Sequence, residues 1–107
     1  MISIHNLHYE EPAHPWDIRV DRQVSSLGNP YKIRVALGDT RDVICDKYAE
    51  WFTQHLADPI FADLLDRLES RYKEYGKLRL FCWCAPKRCH AETIAQYILE
   101  RMGEVFL

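Results

Sequence analysis

Apolar residues recur every three or four positions in three segments of the chain, which is the spacing of one buried helix face. The first segment follows Thr40, a residue type that caps helix N-termini. The second begins at Asp58-Pro59, a cap followed by proline at the first helical position, and ends at Gly76. The third runs from near Cys89 or His90 to about Met102. The pattern predicts three helices.

Alternating apolar and polar residues predict the strands. The strongest covers 77–84, where apolar residues near the end fall on both faces and indicate a central, covered strand. A second covers 17–22, and 32–37 predicts a weaker extended segment. The order strands, helix, helix, strand, helix favours a small single-domain α/β sandwich. We expect a short, mostly parallel or mixed sheet of three to four strands with about three helices.

The length of 107 residues suits one domain, 1–107, with its core over 17–103. Residues 1–16 are expected to form an irregular N-terminal arm, because Pro12 and Pro15 exclude regular structure around them. Within that arm only Ile2 and Ile4 alternate with polar residues and leave room for a short strand.

Charge and composition exclude several classes of function. A formal net charge of −2 argues against a broad nucleic-acid-binding surface. No apolar stretch approaches the roughly 18 residues of a membrane span, and the first residues lack a signal-peptide pattern, so a cytoplasmic protein without a membrane partner is expected. Four cysteines are too few for a disulfide scaffold, and three of them lie between Cys82 and Cys89.

The segment Cys82 to His90 crosses from the strongest predicted strand into a helix. Ligands bind at such junctions in open α/β sheets, because helix N-termini offer free amide donors. Lys87 and Arg88 add positive charge that favours a bound anion or a thiolate. We therefore predict Cys84 or Cys89 as a nucleophile, with His90 as general base or acid.

Two other interpretations of this segment stay open. Tetrahedral zinc could use Cys82, Cys84, Cys89 and His90, although the spacing of these ligands is unusual. The cysteines could also be small buried apolar residues, with the histidine capping a helix.

Three more residues are candidate ligand contacts beside Lys87 and Arg88. Arg22 ends a predicted strand, and Asn29 precedes Pro30 in a turn. Arg41 lies in the first turn of a helix, where the dipole disfavours a cation by about 0.3–1 kcal/mol. A surface pair with Asp39 or Asp42 would equally explain Arg41.

Several motifs together resemble domain-of-unknown-function family 4326, found in small phage and bacterial proteins. The resemblance covers roughly residues 17–100. The matching elements are Val20-Asp21-Arg22, Leu27-Gly28-Asn29-Pro30, Arg41, Tyr48 with Trp51, and Cys82, Cys84, Pro86, Cys89 and His90. The resemblance supports the fold and the site but implies no activity.

The expected function is binding or processing of a nucleotide-like or other anionic small molecule at this Cys/His/Arg site, with no cofactor required. One alternative is a non-catalytic phage-type protein that sequesters a ligand or binds a host protein in the host cytoplasm. The other is a zinc-stabilised structural module.

Overall fold

Three parallel strands and three helices make up the fold in a computed structural model, which describes residues 1–23, 26–31, 34–85 and 87–104. The sheet has the order β1-β3-β2, and both outer strands pair with β3 in parallel. The α/β prediction is confirmed. The elements are β1 (Ile2–Asn6), β2 (Asp17–Arg19), α1 (Arg41–His55), α2 (Pro59–Tyr75), β3 (Leu78–Cys82) and α3 (Ala91–Arg101).

The helices begin and end where local chemistry predicts. The Thr40 side chain accepts a hydrogen bond from the Val43 amide at 3.2 Å and caps α1. Asp58 caps α2 in the same way, and Gly76 ends that helix with a φ of 72°. No side-chain cap is formed by His90 at the start of α3.

Strand β3 is buried on both faces, as its sequence predicts. Leu78, Leu80 and Cys82 belong to the main hydrophobic core, which they share with residues of all three helices. Phe81 lies on the opposite face and is fully buried, with the His5 ring stacked on it at a centroid distance of 5.3 Å. A strand covered on both faces is central in its sheet. Ligands of open α/β sheets bind outside the carboxyl ends of such strands.

The N-terminal segment is more regular than its prolines predict. Residues 2–6 form β1, in register from Ile2 opposite Leu78 to Asn6 opposite Cys82. The alternation of Ile2 with Ile4 decides this segment, because the prolines follow only after the strand has ended. The irregular arm predicted over 1–16 is therefore wrong for these five residues.

Two strand boundaries and one extended segment also differ from prediction. β2 ends at Arg19 and β3 at Cys82, so the residues that follow them turn out of the sheet. The extended segment predicted over 32–37 contains a 3-10 turn at Val35–Leu37, and its positions 32 and 33 lie outside the described residues, as does Pro86. None of the helices in the described ranges is long and apolar enough to cross a membrane.

Candidate functional site

A cavity of about 200 Å³ opens at the carboxyl edge of the sheet. Its wall combines the segments that follow β2 and β3 with the first turn of α1 and the residues that lead into α3. This edge of the sheet is the place where open α/β sheets bind ligands. Lining side chains that matter below are Asp21, Arg22, Asn29, Tyr31, Arg41, Trp83, Cys84, Arg88, Cys89 and His90. Apart from Lys87, every predicted catalytic or ligand-binding residue lies in this wall.

The Leu27-Gly28-Asn29-Pro30 turn packs closely against the segment that follows β2. A Cβ atom on Gly28 would lie 2.3 Å from the Cα of Arg22, so only glycine allows this approach. The Tyr48 hydroxyl donates a hydrogen bond to the Leu27 carbonyl at 2.7 Å and ties the turn to α1. The turn therefore fixes the backbone from which Arg22 enters the cavity wall.

Asn29 is buried, and the two polar atoms of its side chain have different surroundings. Its Oδ1 accepts a hydrogen bond from the Tyr31 amide at 2.9 Å, the turn chemistry expected before proline. Its Nδ2 has no hydrogen-bond acceptor within the described ranges, and the residue lines the cavity. The amide group can therefore donate to a ligand while the turn is intact.

Arg22 and Arg41 both line the cavity, and neither forms an ion pair with a carboxylate in the part of the chain described. The alternative pairing of Arg41 with Asp39 or Asp42 is not formed. Asp39 instead pairs with Arg34 at 3.3 Å. Two cationic side chains without a carboxylate partner thus lie in the wall of one small cavity.

The other two predicted cations, Lys87 and Arg88, do not bring free positive charge to the cavity. Arg88 lines the cavity, but its guanidinium pairs with Asp42 at 3.0 Å and with Asp46 at 2.8 Å. Lys87 is exposed and does not line the cavity. Because α1 presents two acids to the loop, the positive charge of Arg88 is compensated. Lys87 lies outside the cavity wall.

Asp21 fixes an aromatic wall of the cavity. It is buried, pairs with Arg19 at 3.0 and 2.8 Å, and accepts a hydrogen bond from the Trp83 indole at 3.3 Å. Burial raises the pKa of Asp21, but the bonds from Arg19 and Trp83 outweigh it and leave the pKa lowered. The charged carboxylate therefore holds Trp83, which is 50% exposed, in one orientation.

His90 is a buried, neutral side chain with a defined tautomer. Its Nε2 lies 2.6 Å from the Val20 carbonyl, which only accepts, so Nε2 carries the proton. Burial lowers the pKa of the imidazole below its usual value. The free Nδ1 faces the Cys89 thiol at 3.5 Å, so His90 can accept a proton from Cys89.

Three thiols, Cys82, Cys84 and Cys89, form a thiol cluster at the cavity. The Cys82 and Cys89 sulfur atoms are 2.8 Å apart and buried, whereas Cys84 is half-buried; Cys84 and Cys89 both line the cavity. Hydrogen bonds from the Cys82 and Cys89 thiols, together with the Arg41 guanidinium, hold the pKa of Cys84 well below its usual range. The same contacts raise the pKa of Cys89. Of the two predicted nucleophiles, Cys84 is the more exposed and the one whose pKa is lowered.

The alternative zinc site is not supported by this geometry. The described ranges hold no group of three or more His, Cys, Asp or Glu side chains positioned for a metal ion. Two thiolates on tetrahedral zinc lie roughly 3.8 Å apart, given Zn–S bonds of about 2.3 Å, whereas Cys82 and Cys89 are 2.8 Å apart. His90 also directs Nε2 to a backbone carbonyl. The set Cys82, Cys84, Cys89 and His90 comes together without forming a ligand sphere.

Sequence reasoning missed six lining residues as site residues: Asp21, Gln23, Tyr31, Ile44, Cys45 and Trp83. The sequence position of Trp83 could have indicated it, because Trp83 lies between Cys82 and Cys84. A signal also existed for Asp21 and Tyr31, since they flank the Arg22 and Asn29-Pro30 positions already singled out.

Fold and site define the class of protein. It is a small α/β domain with a cationic, thiol-containing pocket at the carboxyl edge of a parallel sheet. The chain belongs to the family described as domain of unknown function DUF4326, whose family model matches residues 5–100. That match begins within β1, earlier than the resemblance from residue 17 indicates. No curated protein and no solved structure matches the chain.

Proposed function

We propose that the protein binds a small anionic molecule of nucleotide type in the cavity at the carboxyl edge of the sheet. The observation that carries the proposal is the pair Arg22 and Arg41, which line one cavity without a carboxylate partner in the described chain. Guanidinium groups bind phosphate and carboxylate oxygens through paired, charge-assisted hydrogen bonds.

The Asn29 side chain supports recognition of the shape and polar groups of a ligand as well as its charge. The Asn29 amide is buried beside the cavity and has an N–H group available there. A buried, preorganised donor contributes selectivity because it is left unpaired when the wrong ligand binds.

The aromatic wall supports a ligand with a flat ring. Trp83 and Tyr31 line the cavity, and the Asp21 hydrogen bond holds the Trp83 indole in place. Stacking on an aromatic side chain contributes about 1–3 kcal/mol per nucleobase. A simple anion makes no use of such a wall, so a nucleotide fits the cavity better than free phosphate does.

The thiolate at Cys84 offsets part of the positive charge beside Arg41. It is also the nucleophile that a bound electrophile would meet, which keeps an enzymatic role compatible with this proposal. The free thiols of the chain fit a reducing compartment such as the cytoplasm.

A thermal-shift screen tests the proposal by comparing nucleoside mono-, di- and triphosphates with the matching uncharged nucleosides. At about 100 times its dissociation constant, a ligand stabilises the fold by roughly 2.7 kcal/mol, which raises the Tm by about 10 °C. We expect a shift with phosphorylated compounds and little or none with nucleosides. Equal shifts for both, or none with any nucleotide, would contradict the proposal and favour the protein-partner alternative.

A further inference from the structure

A second group of polar side chains lies on the face of the sheet that points away from the hydrophobic core. Ile2 and Ile4 of β1 pack into that core, so Ser3 and His5 share the other face of the strand. The Ser3 hydroxyl lies 2.7 Å from His5 Nε2, and His5 Nδ1 lies 2.6 Å from Glu10 Oε2. Ser3, His5 and Glu10 therefore form a hydrogen-bonded triad, whereas the cavity is lined by other residues.

The hydrogen bonds assign the protons of the triad. An ionised Glu10 carboxylate only accepts, so His5 Nδ1 donates to it, and Nε2 of the neutral imidazole accepts the proton of the Ser3 hydroxyl. The hydrogen bond from His5, together with the Arg79 guanidinium, holds the pKa of Glu10 below its usual value. A serine hydroxyl that donates to a histidine, itself oriented by a carboxylate, has the arrangement of an activated nucleophile.

Neighbouring side chains hold the imidazole and the carboxylate in place. The His5 ring stacks on the buried Phe81 ring at a centroid distance of 5.3 Å. Arg79 lies opposite Ser3 in the register of β1 and β3, and its Nη2 donates to Glu10 Oε1 at 2.9 Å, which leaves Oε2 to His5. The His5 side chain is still 24% exposed and that of Glu10 46%, so the triad is both preorganised and open to solvent.

We infer that the triad hydrolyses small carboxylic esters, with Ser3 as the nucleophile, His5 as the general base and acid, and Glu10 as the residue that positions His5. Esters suit these groups better than amides, because an alcohol leaves with less assistance than an amine does. A small acyl group reaches Ser3 most readily, since Ser3 is half-buried on the strand. Ester hydrolysis is independent of the proposed anionic ligand, because the triad does not line the cavity.

Hydrolysis takes place through an acyl group on Ser3. The Ser3 Oγ attacks the ester carbonyl carbon while His5 Nε2 takes the hydroxyl proton, and the C–O bond to the alcohol breaks as His5 gives that proton to the leaving oxygen. Water then attacks the acyl carbon and passes a proton to His5. The bond to Ser3 Oγ breaks, and this oxygen takes the proton back from His5. Ester and water thus give a carboxylic acid and an alcohol.

Labelling of the full-length protein with a fluorophosphonate probe tests whether Ser3 is the nucleophile. Its Oγ forms a bond to phosphorus, the P–F bond breaks, and fluoride leaves. Trypsin first cuts after Arg19, so Ser3 is the only serine of peptide 1–19. We expect fragment ions to place the label on Ser3, and labelling at least about tenfold slower in His5→Gln. The exposed His8 gives the matched control, and His8→Gln should react at the wild-type rate. An unlabelled Ser3, or equal rates in His5→Gln and wild type, would overturn the inference.

Hydrolysis of p-nitrophenyl acetate tests turnover and the role of Glu10. Ser3→Ala should lower kcat at least about tenfold. Ser70→Ala, which changes an exposed serine of α2, should leave kcat unchanged. Because the Glu10 side chain is partly exposed, Glu10→Gln keeps the fold.

Glu10→Gln should lower kcat about tenfold and change KM less than about twofold, since the carboxylate stabilises the imidazolium that forms only in the transition state. Equal kcat values in Ser3→Ala and wild type would contradict the proposed nucleophile. A Glu10→Gln effect on KM alone, or on neither constant, would contradict the proposed positioning role. Buffer without nucleotide or phosphate keeps these outcomes separate from the binding proposal.

Discussion

His90 Nε2 donates a hydrogen bond to the Val20 carbonyl at 2.6 Å and ties the start of α3 to the chain just beyond β2. Both segments contribute to the cavity wall, one through Arg22 and the other through Cys89. Because the bond fixes the tautomer, it also turns Nδ1 toward Cys89. The buried, neutral His90 thus contacts the backbone beyond β2 through one ring nitrogen and the Cys89 thiol through the other.

The lowered pKa of His90 predicts a pH-dependent stability. The folded protein resists protonation of this imidazole, so the unfolded chain binds more protons below about pH 6.5. We expect the free energy of unfolding to fall as the pH drops below that value, with a slope approaching 1.36 kcal/mol per pH unit. Urea unfolding between pH 5 and pH 8 measures it.

The non-titrating variant His90→Gln should flatten this slope, since glutamine can still donate to the Val20 carbonyl but binds no proton. The exposed His8 provides the matched control, and His8→Gln should keep the wild-type slope. Equal slopes in the His90 variant and wild type would contradict the assignment.

Gly28→Ala should destabilise the fold and weaken anion binding together. Its added Cβ would lie 2.3 Å from the Cα of Arg22, and backbone atoms cannot give way without moving the cavity wall. We expect a loss of about 1–3 kcal/mol in urea unfolding and a several-fold weaker nucleotide affinity by calorimetry.

Gly103→Ala is the control for this prediction. Its φ of 73° strains any side chain, but a Cβ there meets no atom within 4 Å, and the position lies at the far end of α3. It should cost stability while leaving nucleotide affinity unchanged. Weakened binding in both variants would show that the Gly28 effect is general destabilisation.

Trp83→Leu should separate recognition of a base from recognition of phosphate. Loss of the aromatic wall is expected to weaken nucleoside diphosphate binding by about tenfold, within the 1–3 kcal/mol of a stacking contact. Pyrophosphate binding should change less than about twofold, since it uses the arginines. Trp16 lies at the amino end of β2, so Trp16→Leu should alter neither affinity. Equal losses for both ligands in Trp83→Leu would remove the stacking role.

Local chemistry made the helices and the central strand predictable. Thr40, Asp58 and Gly76 act on backbone groups within a few residues, so their sequence neighbours already decide the outcome. The alternation of Ile2 with Ile4 in β1 is equally local. The irregular structure that Pro12 and Pro15 impose does not extend back to this strand, because a proline restricts only its own position and the residue before it.

The composition of the site was predictable in part, for a topological reason. The residues after β2 and β3 meet because parallel strands end at one edge of a sheet, which brings Arg22 near Cys84. The pairing of Arg88 with Asp42 and Asp46 depends on how α1 packs against a loop more than 40 positions away in sequence. No sequence pattern reports such a contact, so the compensated and uncompensated cations could be told apart only in the structure.

Calorimetric titration of pyrophosphate into three proteins tests the central claim most directly. Arg22 and Arg41 are proposed to hold the anion, and each charge-assisted hydrogen bond contributes about 1.5–3 kcal/mol. The double variant Arg22→Gln/Arg41→Gln should therefore bind at least 100-fold more weakly than wild type. Arg88→Gln, which removes a cation already paired with two acids, should stay within about threefold of wild type. Unchanged affinity in the double variant, or an equal loss in Arg88→Gln, would contradict the account.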